Sequence, residues 1–140
     1  MILFCDTSAL VKLYVHEDGT DSVTEQAAAS DIIAVCRIAW VEAMSAMARR
    51  SREQPQDASA IAQARRRLAA DRPHYLALEV TQELVELAGD YAEAFALRSY
   101  DSVQLAAAHT VHQALAGEVR FACYDSRLVK AARVLGIESI

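Results

Sequence analysis

Short apolar runs alternate with helix-period segments along the whole of this chain, and that alternation narrows the possible folds more than any other feature. Residues 1–5, MILFC, read as a buried strand that ends at Asp6. Helical patterns are predicted over 8–15, with Gly19 as a break, and over 21–29. The β-branched run 32–35 (IIAV) predicts a second strand. Helices are expected over 38–50 and 56–70, separated by Pro55 and stopped by Asp71-Arg72-Pro73. A third strand is expected over 75–80. Thr81 then reads as the N-cap of a helix reaching Phe95. Another helix is predicted over 101–115, a fourth strand over 119–123, a helix over 126–135 and a last short strand over 137–140. Strands that are apolar nearly throughout, separated by helices, belong in a parallel sheet covered on both faces. In such sheets ligands bind beyond the carboxyl ends of the strands.

The chain has 140 residues, which predicts one domain, 1–140, and 54% of them are hydrophobic, enough for a packed core. With 4 Gly and 2 Pro, long irregular loops are not expected. No apolar run reaches the roughly 18 residues a bilayer span needs. The opening MILFCD has no basic segment and meets an acid at once, which predicts no signal peptide and a cytoplasmic protein. Cys5, Cys36 and Cys123 lie in or beside apolar runs without a CxxC, so they read as small buried hydrophobes.

Two acids fall where the sheet rule places chemistry, Asp6 after strand one and Asp125 after strand four. Glu42 sits in an unusually apolar helix, with Ile38, Val41, Met44 and Met47 at core-type positions and a narrow polar stripe of Glu42, Ser45 and Arg49. A carboxylate so flanked is costly to desolvate unless it faces a charge, a cavity or a metal. Asp101 opens a helix after Arg98 and Tyr100. Each acid also has an ordinary reading. Asp6 and Asp125 suit helix N-caps, Asp101 with Gln104 matches a D-x-x-Q capping box, and Glu42 suits a solvated stripe. Four acids on one side of one sheet repel, and sites that tolerate this usually hold Mg²⁺ or Mn²⁺. Divalent metals held by carboxylates can cleave phosphodiesters, so metal-assisted hydrolysis is the expected chemistry. The net charge of −5 argues against a general nucleic-acid coat. Outside these four, the other 15 of the 19 acidic residues nearly cancel the 14 basic ones.

Competing constellations are weak. No Ser-His-Asp or Cys-His arrangement and no phosphate-cradling glycine motif stands out. His109 and His112 read as a solvated or interface pair. A receiver domain needs an acid pair after strand one, and a haloacid-dehalogenase-like phosphatase needs DxDxT, but the chain has Asp6-Thr7-Ser8. A non-catalytic scaffold would be favoured by loss of one acid, and all four are present. Arg49-Arg50-Arg52 and Arg65-Arg66-Arg67 are candidate guides for RNA phosphates or solvated faces. Trp40, Met44, Met47 and Ile61 predict an apolar surface used in a homodimer.

Four segments together resemble the PIN domain family, specifically its VapC-type toxin ribonucleases. They are Phe4-Cys5-Asp6-Thr7-Ser8-Ala9-Leu10-Val11-Lys12-Leu13-Tyr14, Trp40-Val41-Glu42-Ala43, Leu97-Arg98-Ser99-Tyr100-Asp101-Ser102-Val103-Gln104-Leu105-Ala106 and Phe121-Ala122-Cys123-Tyr124-Asp125-Ser126-Arg127-Leu128. The resemblance implies a PIN-like three-layer α/β/α fold with a parallel sheet of about five strands. It implies that Asp6, Glu42, Asp101 and Asp125 are both the catalytic and the metal-binding acids of an Mg²⁺- or Mn²⁺-dependent endoribonuclease. It further implies the toxin role in a type II toxin–antitoxin pair, homodimerisation, and inhibition by a cognate antitoxin. Some relatives carry a further acid just after the fourth Asp, where this chain has Ser126 and Arg127. That departure leaves open whether one metal or two are held. Thr7 and Ser8 place hydroxyls near the site, a position that helix capping explains equally well.

Overall fold

The structure, a computed structural model, describes residues 1–116 and 118–140. Five strands form one sheet: β1 Ile2–Cys5, β2 Ile32–Cys36, β3 Leu76–Leu78, β4 Val119–Ala122 and β5 Glu138–Ser139. Their order is β3-β2-β1-β4-β5, and every pairing is parallel. Seven α-helices connect them: α1 Thr7–Lys12, α2 Thr20–Ala28, α3 Ala39–Glu53, α4 Ala58–Asp71, α5 Gln82–Phe95, α6 Ser99–Ala114 and α7 Ser126–Val134.

Strand alternation sends successive side chains to opposite faces. Phe4 and Phe121 pack on one face with Ala34, Cys36 and the α5, α6 and α7 residues Leu84, Leu105 and Leu128. Leu3, Cys5 and Val35 pack on the other with Leu10 of α1, Met47 of α3 and Ile61 and Leu68 of α4. Both faces are therefore covered, which explains why β1, β2 and β4 are apolar apart from Arg120 of β4 and gives the expected three-layer α/β/α arrangement. The Phe4 and Phe121 rings meet edge to face, centroids 5.8 Å apart, at the centre of one layer. Each such buried ring contributes roughly 2–3 kcal/mol over leaving it exposed.

The strand order reverses at β1. From there the chain winds outward through β2 and β3, then crosses back to place β4 on the other side of β1. A crevice opens at the carboxyl ends of the two strands flanking such a reversal. Asp6 follows β1 and Asp125 lies three residues past the end of β4, so the topology delivers both acids to that crevice.

Several boundaries differ from those expected, for local reasons. The first helix stops at Lys12, because Leu13 and Tyr14 tighten onto Leu10 and Val11 carbonyls. Pro55 opens a short 3₁₀ turn before α4. β3 is an edge strand that pairs only with Ala34–Cys36 of β2, so it ends before Val80. Met47 and Ile61 are core residues, whereas Val41 is 60% exposed. The apolar surface anticipated on these helices is consequently smaller than the sequence suggested. No helix of the described residues is long and apolar enough to cross a membrane. The three cysteines are free and buried, as expected.

Candidate active site

Asp6 sits where the chain turns from β1 into α1. Its extended backbone (φ −71°, ψ 175°) makes it the N-cap. Oδ1 accepts the Ala9 N–H at 2.9 Å and the Ser8 hydroxyl at 2.6 Å. Ser8 Oγ in turn accepts the Tyr124 N–H at 3.3 Å, tying the loop after β1 to the loop after β4. Asp125 is built the same way at the start of α7, with Oδ1 accepting the Arg127 and Leu128 N–H groups at 2.9 and 3.2 Å. Capping and site readings are thus not alternatives for these two acids. The cap uses one oxygen and fixes the carboxyl, and the other oxygen makes no hydrogen bond among the described residues.

Glu42 lies in the first turn of α3, where Ala39, Ala43 and Met47 face the core. Its Oε1 accepts the Thr7 hydroxyl at 2.9 Å and the Gln104 amide at 2.9 Å. Gln104 also donates to Thr7 Oγ1 at 3.1 Å. Three elements, α1, α3 and α6, are therefore pinned together at one carboxylate oxygen. Gln104 is only 2% exposed, and its Oε1 has no hydrogen-bond partner among the described residues.

Asp101 does not cap α6. The helix begins at Ser99 with Arg98 at the N-cap position, so Asp101 lies within the first turn. The D-x-x-Q box does not form, because Gln104 is turned inward to Glu42 and Thr7. Among the described residues Asp101 makes no hydrogen bond, leaving both oxygens free.

All four acids line one cavity of about 510 Å³, together with Thr7, Ser8, Glu17, Arg50, Arg98 and Gln104. None of the four pairs with a basic side chain among the described residues. Burial raises the Asp6 carboxyl to about 6, and the negative charges of Asp101 and Glu42 add to the rise against the hydrogen bonds from Ser8 and Ala9. Burial, then Asp125 and Glu42, also raise Asp101, with Arg98 opposing. Burial pushes the Cys5 and Cys123 thiols far upward, so neither is a nucleophile near neutral pH.

Among the described residues, no three His, Cys, Asp or Glu side chains stand close enough together to enclose an ion as they are. The donor set nevertheless suits a hard divalent cation. It is all oxygen, none of its carboxylates is ion-paired among the described residues, and three of the four keep one oxygen pinned and one free. Asp101, unpinned, is the carboxylate with most freedom to move toward an ion.

The sequence picked out the four acids, and the structure brings them together. It did not pick out Gln104, although a Gln between Val103 and Leu105 in a helix buried from Gln104 through Ala108 is a signal. The basic clusters divide. Arg50 rims the cavity and pairs with Glu17 and Asp57, while Arg49 pairs with Glu53. Arg67 donates to the Tyr14 carbonyl at 2.5 Å. His109 is half-buried in the α5–α6 hairpin and bonds the Tyr91 hydroxyl, rather than standing in solvent.

The fold is shared with solved structures of low sequence identity. A toxin–antitoxin complex from Klebsiella pneumoniae aligns with a TM-score of 0.63 at 16% identity over 92% of this chain and 90% of that one. PAE2754 from Pyrobaculum aerophilum gives 0.68 at 16% over 99% and 83%. VapBC2 from Rickettsia felis, solved with a DNA fragment from its promoter, gives 0.63 at 14% over 100% and 98%. No match was found among curated proteins. The PIN domain family matches residues 3–134, which carry all four acids and the sheet reversal that gathers them, and the chain belongs to that family.

Proposed function

We propose that this protein is a metal-dependent endoribonuclease and the toxin component of a type II toxin–antitoxin module. One observation carries the reading: four carboxylates from four distant segments line one cavity at the sheet reversal, and none of them is ion-paired among the described residues. Asp6, Glu42, Asp101 and Asp125 would hold Mg²⁺ or Mn²⁺. A bound divalent cation supplies positive charge for a phosphate and Lewis acidity for the attacking oxygen.

The chain's own residues prepare that site. Ser8 and the Ala9 N–H fix Asp6, and the N-terminal amides of α7 fix Asp125. Thr7 and Gln104 fix Glu42, so these two hydrogen-bonding side chains would orient that carboxylate for a cation. Arg98, at the start of α6, tempers the charge of Asp101. Below pH 6 a proton on Asp6 competes with the cation.

Membership of the PIN family and likeness to chains from toxin–antitoxin complexes support the toxin role. An acid-lined cavity also suits inhibition by an antitoxin Arg or Lys placed beside Asp6 and Asp101. Val41 and Tyr100, each 60% exposed, with half-buried Trp40 and Met44, are the apolar groups we assign to a homodimer contact.

The test is RNA cleavage by the purified protein in Mg²⁺, in Mn²⁺ and in excess EDTA. Cleavage should require the metal and be lost in Asp101→Asn. Undiminished cleavage in EDTA would overturn the mechanism.

A further inference from the structure

Beside the acid-lined cavity lies a second, polar one of about 300 Å³, lined by Leu97, Arg98, Asp101, Asp125, Ser126 and Arg127. The two cavities share Arg98, Asp101 and Asp125. Leu97 is its single apolar lining residue. Two guanidinium groups and one hydroxyl face a space whose far wall is the pair of acids assigned above to the metal.

Among the described residues, the Arg98 and Arg127 side chains make no ion pair and no hydrogen bond. The situation differs on the opposite side of the acids. A third cavity there shares Glu42, Ala46 and Arg50 with the central one, and its arginines are already engaged: Arg49 with Glu53, and Arg50 with Glu17 and Asp57. A phosphate arriving on that side must displace carboxylates, whereas one arriving between Arg98 and Arg127 displaces only water. The arginines without partners among the described residues thus lie on one flank of the acidic centre. That charge order fits a strand whose central phosphate is met by a cation and whose neighbouring phosphate is met by arginine.

We propose that Arg98 and Arg127 hold the backbone phosphate of single-stranded RNA next to the one that is cut, and so position the strand over the acids. The proposal deepens the ribonuclease reading and rests on it. Guanidinium is suited to the task, since its planar donors pair with two phosphate oxygens at once. Arg127 is a positioning residue here, so its loss weakens substrate capture rather than the chemical step, whereas Arg98 positions the strand and also tempers Asp101.

The experiment is steady-state cleavage of a short single-stranded RNA with a 5′-hydroxyl end, in Mg²⁺ and at several salt concentrations. Arg127→Ala should raise KM about 5-fold with kcat changed less than about 2-fold, and Arg98→Ala should raise KM by a similar factor with a further fall in kcat, because Arg98 also tempers the charge of Asp101. Each should reduce the slope of log KM against log salt by about 0.7, the value for one lost phosphate contact on a single strand. Arg133→Ala, farther along α7 and outside all three cavities, should change neither quantity. Arg98→Lys and Arg127→Lys should keep the slope and recover part of KM. They also stand in for any alanine variant that fails to fold, as judged by its thermal melt. KM and slope equal to those of Arg133→Ala, or a loss confined to kcat, would overturn the pocket while leaving the ribonuclease reading intact. A requirement for a 5′-phosphate would overturn it as well, making this a terminal-phosphate site. A parent protein that cuts no RNA would remove both readings.

Discussion

Replacing Asp6 by Asn should stabilise the metal-free protein above neutral pH. Asn is nearly isosteric and keeps the Oδ1 acceptor for the Ala9 N–H and the Ser8 hydroxyl. It removes a negative charge that is only 5% exposed. Burial, reinforced by Asp101 and Glu42, raises this carboxyl from 3.8 to about 6 in the folded protein. A native value above the unfolded one means that the folded state holds the proton more tightly. The contribution to stability is therefore fully present below pH 3.8, is lost as pH rises to about 6, and stays lost above that. At about 1.4 kcal/mol per pH unit, that rise corresponds to about 3 kcal/mol. An amide accepts hydrogen bonds less strongly than a carboxylate, which returns about 1 kcal/mol. The net gain of about 1–2 kcal/mol, over an unfolding entropy of about 2.1 cal/mol/K per residue and 140 residues, is about 3–7 °C in Tm. Thermal unfolding followed by circular dichroism in EDTA measures it. Asp6→Asn should melt higher than the parent at about pH 8, with the difference vanishing or reversing near pH 4. An equal or lower Tm at both pH values would show that the fold accommodates the Asp6 charge as an ordinary helix cap.

Other consequences follow from the hydrogen bonds and backbone around the cavity. Gln104→Leu removes the amide that fixes Glu42 and Thr7 together with an unpartnered buried oxygen. Stability should change by less than about 1 kcal/mol, while cleavage at limiting Mg²⁺ should fall about 10–100-fold and recover partly at high Mg²⁺. Gly19 has φ +92°, and a Cβ there would meet the Tyr124 ring at 2.7 Å, the same ring whose hydroxyl donates to the Gly19 carbonyl. Gly19→Ala should lower stability by about 1–3 kcal/mol in urea unfolding.

The fold was legible because burial on both faces leaves a plain mark: the Ile2–Cys5 and Ile32–Cys36 runs have no polar residue to mistake for a half-exposed sheet. The acids at strand ends were legible because parallel topology sends chemistry there. Side-chain direction was not. Asp101 and Gln104 spell a capping box in one dimension, and the helix discards it by starting at Ser99, because Gln104 is needed at Glu42, 62 residues away in sequence. Val41, placed at a core-type position, and Ile61, counted toward an outer apolar surface, were misjudged for the same reason, while Met47 is buried as its core-type position predicts. An apolar stripe gives a helix a face but does not say which of its edges meets a neighbour. The arginine pocket depends on the absence of partners for Arg98 and Arg127, and a sequence does not carry absences of that kind.

The most direct test of the central claim is a calorimetric titration of Mn²⁺ and Mg²⁺ into the parent protein and into Asp101→Asn, above pH 7 and without substrate. Binding to the parent should be saturable, its Tm should climb with cation concentration by mass action, and affinity should be at least about 10-fold weaker in the variant. Failure of the parent to bind either cation, or equal binding by Asp101→Asn, would contradict the assignment of these four carboxylates to a metal site.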